Sequence, residues 1–208
     1  MTDFAQRLTD FGAIWRHDGN PHRAHALLTS GKHSNAFINT TLATCRPELL
    51  AEILAPGSPY RARLPQAPRQ AVDWVVGSAV GAIAWAYALA QALDALAGFT
   101  EKTDDGGMEL KRFPIGPEHT VLVCEDVIST GGSTLKTIAG LKATGCHILP
   151  VIATLVNRSG RAALDGFAIE PVVTVEVEQW DAADCPLCRL GSEALRPKQN
   201  WARLTQKM

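Results

Sequence analysis

The chain has 208 residues, of which 46% are hydrophobic and 20% are charged. This composition is typical of one globular domain and excludes a disordered chain. The formal net charge of −1 provides no overall positive field, so we expect neither nucleic acid nor an anionic membrane as a partner.

The N-terminal third is predicted to form short elements. Apolar side chains recur at spacings of three and four over residues 3–16, which predicts a helix. Short apolar pieces separated by polar turns predict two strands within residues 25–40. A proline near its start favours a helix over residues 46–54, and four further prolines make residues 55–68 a loop.

From residue 71 onward, apolar strands alternate with helices, which is typical of an α/β protein with a mostly parallel sheet. The stretch Trp74–Leu93 lacks charge, but it is rich in alanine and interrupted by glycines, so we expect a strand, a turn and a helix rather than a membrane span. Residues 100–112 are polar and glycine-rich and predict an exposed, mobile loop. The strands are predicted at 71–77, 120–126, 147–156 and 171–177, and the helices at 81–97 and 134–144.

The segment VLVCEDVISTGGS, residues 121–133, carries the strongest functional signal. An apolar strand ends in two acids, and a turn of glycines and hydroxyl residues leads into a helix. Glycines allow close backbone approach, and the unpaired N–H groups that open a helix bind phosphate. The acids would repel a phosphate but accept hydrogen bonds from sugar hydroxyls. The pattern therefore predicts a sugar-phosphate site; an ATP-binding P-loop is excluded because no lysine directly follows the glycines.

This segment resembles the phosphoribosyl-pyrophosphate (PRPP) motif of the type I phosphoribosyltransferases. Further segments resemble the orotate phosphoribosyltransferases within that family: LLTSGKHSNAFINT, FTEKTDDGGMELKRF, LVNRSGR and CPLCRLGSEALRPK. The resemblance implies the type I phosphoribosyltransferase fold, an α/β fold with a central, mostly parallel sheet flanked by helices. It also implies a small hood subdomain from the N-terminal segment, to which the C-terminal segment could contribute.

The resemblance implies a single domain over residues 1–208. Within it, we expect a helix and hood segment at about 1–45, a core at about 70–178 and a tail at about 179–208.

The resemblance also assigns roles to residues of this chain. Glu125 and Asp126 would hold the ribose hydroxyls, and Lys102, with Arg112 and Lys111, would reach the pyrophosphate. Arg158 would meet orotate. The PRPP site would further include Val127, Ile128, Ser129, Thr130, Gly131, Gly132 and Ser133, and the orotate site Ser129, Lys32 and Phe37.

The reaction that the resemblance implies converts orotate and PRPP to orotidine 5′-phosphate and pyrophosphate, a step towards UMP. Mg²⁺ would be held mainly through PRPP rather than by direct protein ligands, and a cytoplasmic homodimer is expected. Two alternatives remain open: a phosphoribosyltransferase for another base, and a PRPP-binding regulator without catalysis. The absence of a basic arm from the sequence counts against the regulator.

Two features depart from many members of the family. The turn GSAVG, residues 77–81, lacks a lysine, although its backbone could still bind pyrophosphate. The tip of the 100–112 segment carries Asp104 and Asp105, which would repel pyrophosphate.

The five cysteines are widely spaced and odd in number, which favours a cytosolic protein over a disulfide scaffold. Cys185 and Cys188 form a CxxC, which is either a structural turn or half of a zinc site. Four ligands would be needed for zinc, and Cys45 and Cys146 could contribute if the fold brings them near. The six histidines show no metal-binding spacing and are interpreted as ordinary core or surface residues.

Overall fold

The computed structural model describes residues 3–65 and 71–205, so the end of the predicted proline-rich loop lies outside the described residues. The helices, in chain order, are α1 (Phe4–Asp10), α2 (Thr41–Thr44), α3 (Pro47–Ile53), α4 (Ile83–Leu93), α5 (Gly132–Lys142), α6 (Pro186–Arg189) and α7 (Pro197–Thr205), with 3-10 helices at Arg61–Arg63 and Ala182–Asp184. The strands are β1 (Ile14–Arg16), β2 (His25–Leu27), β3 (His33–Ser34), β4 (Ala36–Ile38), β5 (Trp74–Ser78), β6 (Leu96–Lys102), β7 (Met108–Glu109), β8 (Thr120–Ile128), β9 (His147–Asn157), β10 (Ala163–Leu164), β11 (Phe167–Thr174), β12 (Gln179–Trp180) and β13 (Ala194–Leu195).

The chain divides into two compact units. The larger unit is Ala43–Val175, and the smaller unit combines Met1–Leu42 with Glu176–Met208. Both ends of the chain therefore build the smaller unit.

The smaller unit contains a four-stranded sheet in the order β12-β3-β2-β13. The central hairpin β2–β3 comes from the N-terminal segment, and the two flanking strands come from the C-terminal segment. β12 pairs antiparallel with β3, and β13 pairs parallel with β2. A separate pair joins β1 to β4, and a hydrophobic cluster buries Trp15, Ala26, Leu28 and Leu204.

The prediction of a helix over residues 3–16 is wrong for its second half. Asp3 caps α1 by accepting hydrogen bonds from the backbone N–H groups of Ala5 and Gln6. Gly12 has a φ of +73°, a conformation that commonly ends helices, and the chain then enters β1. Trp15 consequently lies in a strand and joins the core of the smaller unit.

The larger unit contains a seven-stranded sheet in the order β10-β11-β9-β8-β5-β6-β7. Its five long strands are parallel, and the antiparallel pairs are confined to the two edges. The predicted mostly parallel sheet is therefore confirmed. Pro150 lies within β9 at the point where the β8–β9 register shifts, an irregularity that tolerates a residue without an N–H.

The order of the sheet fixes where a ligand site belongs. From β5 the chain crosses through α4 to β6 on one side, and from β8 it crosses through α5 to β9 on the other side. Because such crossovers are right-handed, α4 and α5 lie on opposite faces of the sheet. The strand order reverses between β5 and β8, and ligands of open α/β sheets bind at the carboxyl ends of the strands at such a point.

Two predictions between residues 81 and 112 need correction. The helix predicted over 81–97 ends at Leu93, because Asp94 takes a left-handed conformation with a φ of 56°. Residues 100–112 were expected to be a loop, but β6 extends to Lys102 and pairs with β7 to form a hairpin. The charge-free stretch forms β5, a turn and α4 as predicted. Among the described residues no helix is both long and apolar enough to span a membrane.

Candidate active site at the carboxyl ends of β5, β6 and β8

A cavity of about 280 Å³ opens at the carboxyl ends of β5, β6 and β8 in the larger unit. It lies at the switch point of the sheet, and its lining is polar. The lining residues are Ser78, Ala79, Gly81, Lys102, Glu125, Asp126, Val127, Ser129, Thr130, Gly131, Gly132, Ser133 and Thr134. The structure thus brings together Lys102, the acid pair and the glycine turn.

Glu125 is held in place by hydroxyl groups. Ser78 Oγ donates to the Glu125 carboxylate at 2.7 and 2.9 Å from its two oxygens, and Thr134 Oγ1 donates to it at 3.1 Å. Glu125 is only 3% exposed, whereas Asp126, the next residue, is half-buried. Successive side chains of a strand point to opposite faces, so the two acids meet different surroundings.

The pKa of Glu125 is raised to about 8. Burial is the larger cause, and the neighbouring charge of Asp126 is the second. The hydrogen bonds from Ser78 and Thr134 act in the opposite direction, because they favour the ionised form. At neutral pH the Glu125 carboxyl is therefore largely protonated, and it can donate as well as accept a hydrogen bond.

The turn before α5 has the geometry of a phosphate cradle. Gly131 takes a φ of +82°, and a Cβ on this residue would come within 2.6 Å of the Leu164 side chain. A residue other than glycine is therefore disfavoured by both conformation and space. The residues that begin α5, an 11-residue helix, line the same cavity, and their backbone N–H groups carry the positive end of the helix dipole.

The turn after β5 forms the opposite wall of the cavity. The peptide bond between Ala79 and Val80 is cis. A Cβ on Gly81 would lie 2.8 Å from the Asp126 carboxylate, so the absence of a side chain lets this turn approach the acid. Sequence reasoning missed Ser78 and Thr134 as hydrogen-bond partners of Glu125. Their positions, at the end of β5 and in the first turn of α5, were a signal that their hydroxyl groups could reach this site.

The β6–β7 hairpin carries the cations that sequence reasoning assigned to pyrophosphate. Lys102 ends β6 and lines the cavity. Arg112 instead forms an ion pair with Glu101, whose pKa is lowered by this contact; Nε and Nη2 of Arg112 lie 2.8 and 3.1 Å from the carboxylate oxygens. Among the described residues, those that line the cavity do not include Arg112.

The acidic tip of the hairpin has a structural role. The Asp105 carboxylate accepts hydrogen bonds from Thr103 Oγ1 and from the backbone N–H of Gly107, and these contacts lower the pKa of Asp105. Lys136 of α5 donates to the backbone carbonyl of Gly106. The tip is thereby folded onto α5, and one of its two acids stabilises the turn.

Arg158 follows β9 directly, and its backbone N–H donates to the carbonyl of Ile128 at 2.9 Å. This bond places it beside the glycine turn. The side chain is half-buried, and its pKa is lowered by that burial. It has no hydrogen bond or ion pair with the rest of the described chain, so the guanidinium can take an external anion.

Lys32 and Phe37 belong to the smaller unit. Lys32 lies 3.3 Å from the carboxylate of Asp181 in an exposed ion pair. Phe37 packs against Trp201 with ring centroids 5.8 Å apart, at the edge of the hydrophobic core of that unit. Their roles in orotate binding remain predictions.

The interpretation of all six histidines as ordinary residues is incomplete. His25 and His33 lie with Cys185 and Cys188 in one cluster in the smaller unit. The companions of the CxxC are therefore histidines rather than Cys45 and Cys146. Sequence reasoning missed them because neither histidine has a metal-binding partner at a recognisable spacing.

A family model described as the phosphoribosyl transferase domain matches residues 66–184, which include every residue that lines the cavity. The chain belongs to the phosphoribosyltransferase family. The expected family and fold class are thereby confirmed.

This phosphoribosyltransferase is also similar to individual members of the family. It is 34% identical over 186 residues to the orotate phosphoribosyltransferase of Acidithiobacillus ferrooxidans, covering 89% of this chain and 93% of the relative. It is 37% identical over 174 residues to that of Carboxydothermus hydrogenoformans, covering 83% and 88%. The crystal structure of the Aeropyrum pernix orotate phosphoribosyltransferase superimposes with a TM-score of 0.57 at 25% identity, covering 83% of this chain and 94% of that one.

Proposed function

We propose that this phosphoribosyltransferase transfers the phosphoribosyl group of PRPP to orotate, yielding orotidine 5′-phosphate and pyrophosphate. The observation that carries the proposal is the cavity in which an acid pair, a glycine turn at a helix start and Lys102 converge. The similarity to proteins named orotate phosphoribosyltransferase supports orotate as the acceptor base.

The 5-phosphate of PRPP binds at the turn from Ser129 to Ser133. The N–H groups at the start of α5 and the hydroxyls of this turn are donors, and the helix dipole adds a favourable field. The ribose hydroxyls then lie over Glu125 and Asp126. This arrangement separates the phosphate from the Asp126 carboxylate, which would otherwise repel it.

In the reaction, the bond between the anomeric carbon and the pyrophosphate oxygen breaks, and a bond from an orotate nitrogen to that carbon forms. The orotate nitrogen loses its proton, and pyrophosphate leaves with the bonding electrons. Negative charge therefore grows on the leaving group, and Lys102, at the cavity wall, stabilises it. Arg112 also stabilises the charge on pyrophosphate, after its ion pair with Glu101 has opened. Such an exposed ion pair is weak, and the polyphosphate competes with Glu101 for the guanidinium.

Mg²⁺ fits the cavity, because this ion prefers hard oxygen ligands, and the oxygens of PRPP would supply most of them next to the Asp126 carboxylate. Bound mainly through PRPP, the ion would neutralise charge on the departing pyrophosphate. The same proposal includes a homodimer that works in the cytoplasm, as the resemblance to the family implies.

Arg158 determines the acceptor base in this proposal. Its backbone lies beside the glycine turn, its half-buried side chain has no carboxylate partner among the described residues, and the orotate carboxylate can bind the guanidinium in a bidentate manner. Uncharged bases lack that group and gain nothing from Arg158.

The test follows orotate absorbance in mixtures of protein, PRPP and Mg²⁺. We expect it to fall with the wild type, and to fall at least about a hundredfold more slowly with Lys102→Ala, since one transition-state contact of this kind is worth about 3 kcal/mol. Lys198→Ala, an exposed lysine of the smaller unit, is the matched control and keeps the wild-type rate.

Arg158→Ala separates the acceptor base from PRPP. The KM for orotate should rise about 10- to 100-fold, while PRPP affinity by calorimetry stays unchanged. PRPP binding without any orotate turnover, or turnover of an uncharged base that Arg158→Ala leaves intact, would contradict orotate as the substrate.

A further inference from the structure

The smaller unit holds a compact cluster of two imidazoles and two thiols that the phosphoribosyl reaction does not use. His25 and His33 lie on the β2–β3 hairpin, and Cys185 and Cys188 flank the start of α6. One nitrogen or sulfur atom from each residue lies within 4.8 Å of the other three. His25, His33 and Cys185 are buried, and Cys188 is exposed.

Four distances within the cluster are close to the edges of a small tetrahedron. His25 Nε2 lies 2.9 Å from His33 Nδ1 and 3.6 Å from the Sγ atoms of both Cys185 and Cys188. Cys188 Sγ lies 3.2 Å from His33 Nδ1. Tetrahedral zinc bonds of about 2.0–2.1 Å to nitrogen and 2.3 Å to sulfur give edges of about 3.3 Å between nitrogens and 3.6 Å between nitrogen and sulfur. The four distances above depart from these edges by at most about 0.4 Å, and the remaining two lie within 4.8 Å.

Local structure holds the four side chains on their respective elements. In the hairpin, Leu27 is paired with His33 and Ala26 with Ser34, which fixes the spacing of the two histidines. Pro186 begins α6, and the spacing of three between the cysteines puts both thiols on one side of the first turn.

Hydrogen bonds with Ser192, which lies outside the cluster, orient His25. Its Nδ1 lies 2.8 Å from Ser192 Oγ, whose own proton is donated to the backbone carbonyl of Arg23 at 2.6 Å. The Ser192 oxygen can then accept from Nδ1–H, so His25 carries its proton on Nδ1. The lone pair of Nε2 consequently points into the cluster, as it does in metal-bound histidines supported by such an outer partner.

We propose that His25, His33, Cys185 and Cys188 bind one structural Zn²⁺ that ties the C-terminal segment of the chain to its N-terminal hairpin. Two thiolates and two neutral imidazoles favour zinc, and the charge of the ion balances that of the thiolates in a largely buried site. The four protein ligands complete the tetrahedron and leave no open position for substrate, so the site is structural. His25 and Cys185 are 160 residues apart, and the ion closes that long loop.

The structural context supports a clamp at this position. The smaller unit is built from two separate pieces of chain, and its sheet has two- and three-residue strands that join those pieces. Small units with limited cores commonly depend on a metal or a disulfide. Both cysteines are free thiols in the structure, so a disulfide does not fill this role.

The test measures metal in the full-length protein after purification without chelators or metal-affinity resin. We expect about one zinc per chain by mass spectrometry. Cys188→Ser and His33→Ala should lose the zinc, while Cys45→Ser, which removes an exposed cysteine outside the cluster, should retain it. Removal of the zinc from the wild type should lower its melting temperature, since the ion binds the folded state.

Loss of zinc through misfolding of a variant is distinguished by two further measurements. Wild-type protein loaded with Co²⁺ should show the intense visible bands and the thiolate charge-transfer band of tetrahedral thiolate coordination. His33→Cys, which restores a fourth ligand, should keep the zinc. Any of three results would overturn the proposal. The zinc-free wild type could take up no zinc in a titration, both ligand variants could retain zinc, or the purified protein could contain stoichiometric iron instead of zinc. None of these readouts depends on phosphoribosyl transfer, so failure here leaves the proposed activity untouched.

Discussion

Glu125 combines a buried position with a neighbouring acid, and this has a measurable energetic consequence. Its pKa in the folded protein is about 8, above the ordinary value of 4.5. Between these two values the folded protein keeps a proton that the unfolded chain has lost. Stability therefore falls as the pH rises through this window, by up to about 1.4 kcal/mol per pH unit.

Replacing the carboxyl group by an amide removes this titration. Glu125→Gln keeps an oxygen that accepts from Ser78 and Thr134, so we expect the free energy of unfolding to exceed that of the wild type at about pH 8.5 and the gain to shrink towards about pH 5. Urea unfolding at several pH values measures this difference. Glu176→Gln, at an exposed position, is the control and should show no such trend. A wild-type stability that rises with pH relative to Glu125→Gln would contradict the raised pKa.

The sequence predicts the types of residue in the cavity but not their separate surroundings. The order of acids, hydroxyls and glycines in residues 121–133 is sufficient to locate the polar cavity. It does not reveal that Glu125 is enclosed by hydroxyls while Asp126 faces Gly81, because those contacts come from other segments of the chain. For the same reason the ion pair of Arg112 with Glu101 could not be predicted from the charges of the segment alone.

The β6–β7 hairpin is an element whose position depends on one glycine. A Cβ on Gly140 of α5 would overlap the backbone carbonyl oxygen of Met108 in β7. The hairpin can therefore lie against the helix only because residue 140 lacks a side chain. Lys102 belongs to the same hairpin, so this contact also affects the part of the cavity that Lys102 lines.

Gly140→Ala tests this dependence. At an open position the change would stabilise a helix by about 1 kcal/mol. Here we expect no such gain, faster hydrogen exchange in residues 103–110 and a higher KM for PRPP, because the hairpin must move away from α5. Ala139→Gly, at an exposed position of α5, should cost about 1 kcal/mol and leave hairpin exchange unchanged. A stabilised Gly140→Ala protein with an unchanged hairpin would contradict the argument.

Predicting the elements from sequence works best where the apolar pattern is long. The predicted strands that became β5, β8 and β9 and the helix that became α5 agree with the structure within a few residues. The failures are local. Gly12 ends α1 earlier than the spacing of apolar side chains suggests, and Asp94 ends α4 although no glycine marks that point. β6 was missed because its apolar start reads as a continuation of α4 and its polar end reads as a loop.

At the scale of the whole molecule, the two units carry different sites. Every described residue that lines the polar cavity belongs to the larger unit, whereas the histidine–cysteine cluster belongs to the smaller one. The sequence directly indicates the alternation of strands and helices in the larger unit. It cannot indicate the smaller unit in the same way, because the pairings of β2 with β13 and of β3 with β12 join segments that are far apart in the chain.

Because the cavity lies in the larger unit, we expect a destabilising substitution in the core of the smaller unit to leave the affinity for PRPP unchanged. Leu204 of α7 is 1% exposed and belongs to the hydrophobic cluster of that unit. Leu204→Ala should destabilise the smaller unit by about 2–5 kcal/mol, as seen for buried leucines, while PRPP affinity changes by less than about twofold. Calorimetry measures both quantities. Leu190→Ala, at an exposed leucine of the same unit, is the control, and a large loss of PRPP affinity in Leu204→Ala alone would contradict the division.

The pairing of distant segments in the smaller unit also sets the timing of its folding during translation. The β2–β3 hairpin leaves the ribosome long before Cys185, which lies 160 residues after His25. At about 5–20 residues per second, the hairpin waits on the order of ten to thirty seconds for its partner strands. Over that time the nascent chain can complete the larger unit first, and the N-terminal strands keep unpaired edges until the last part of the chain has been synthesised.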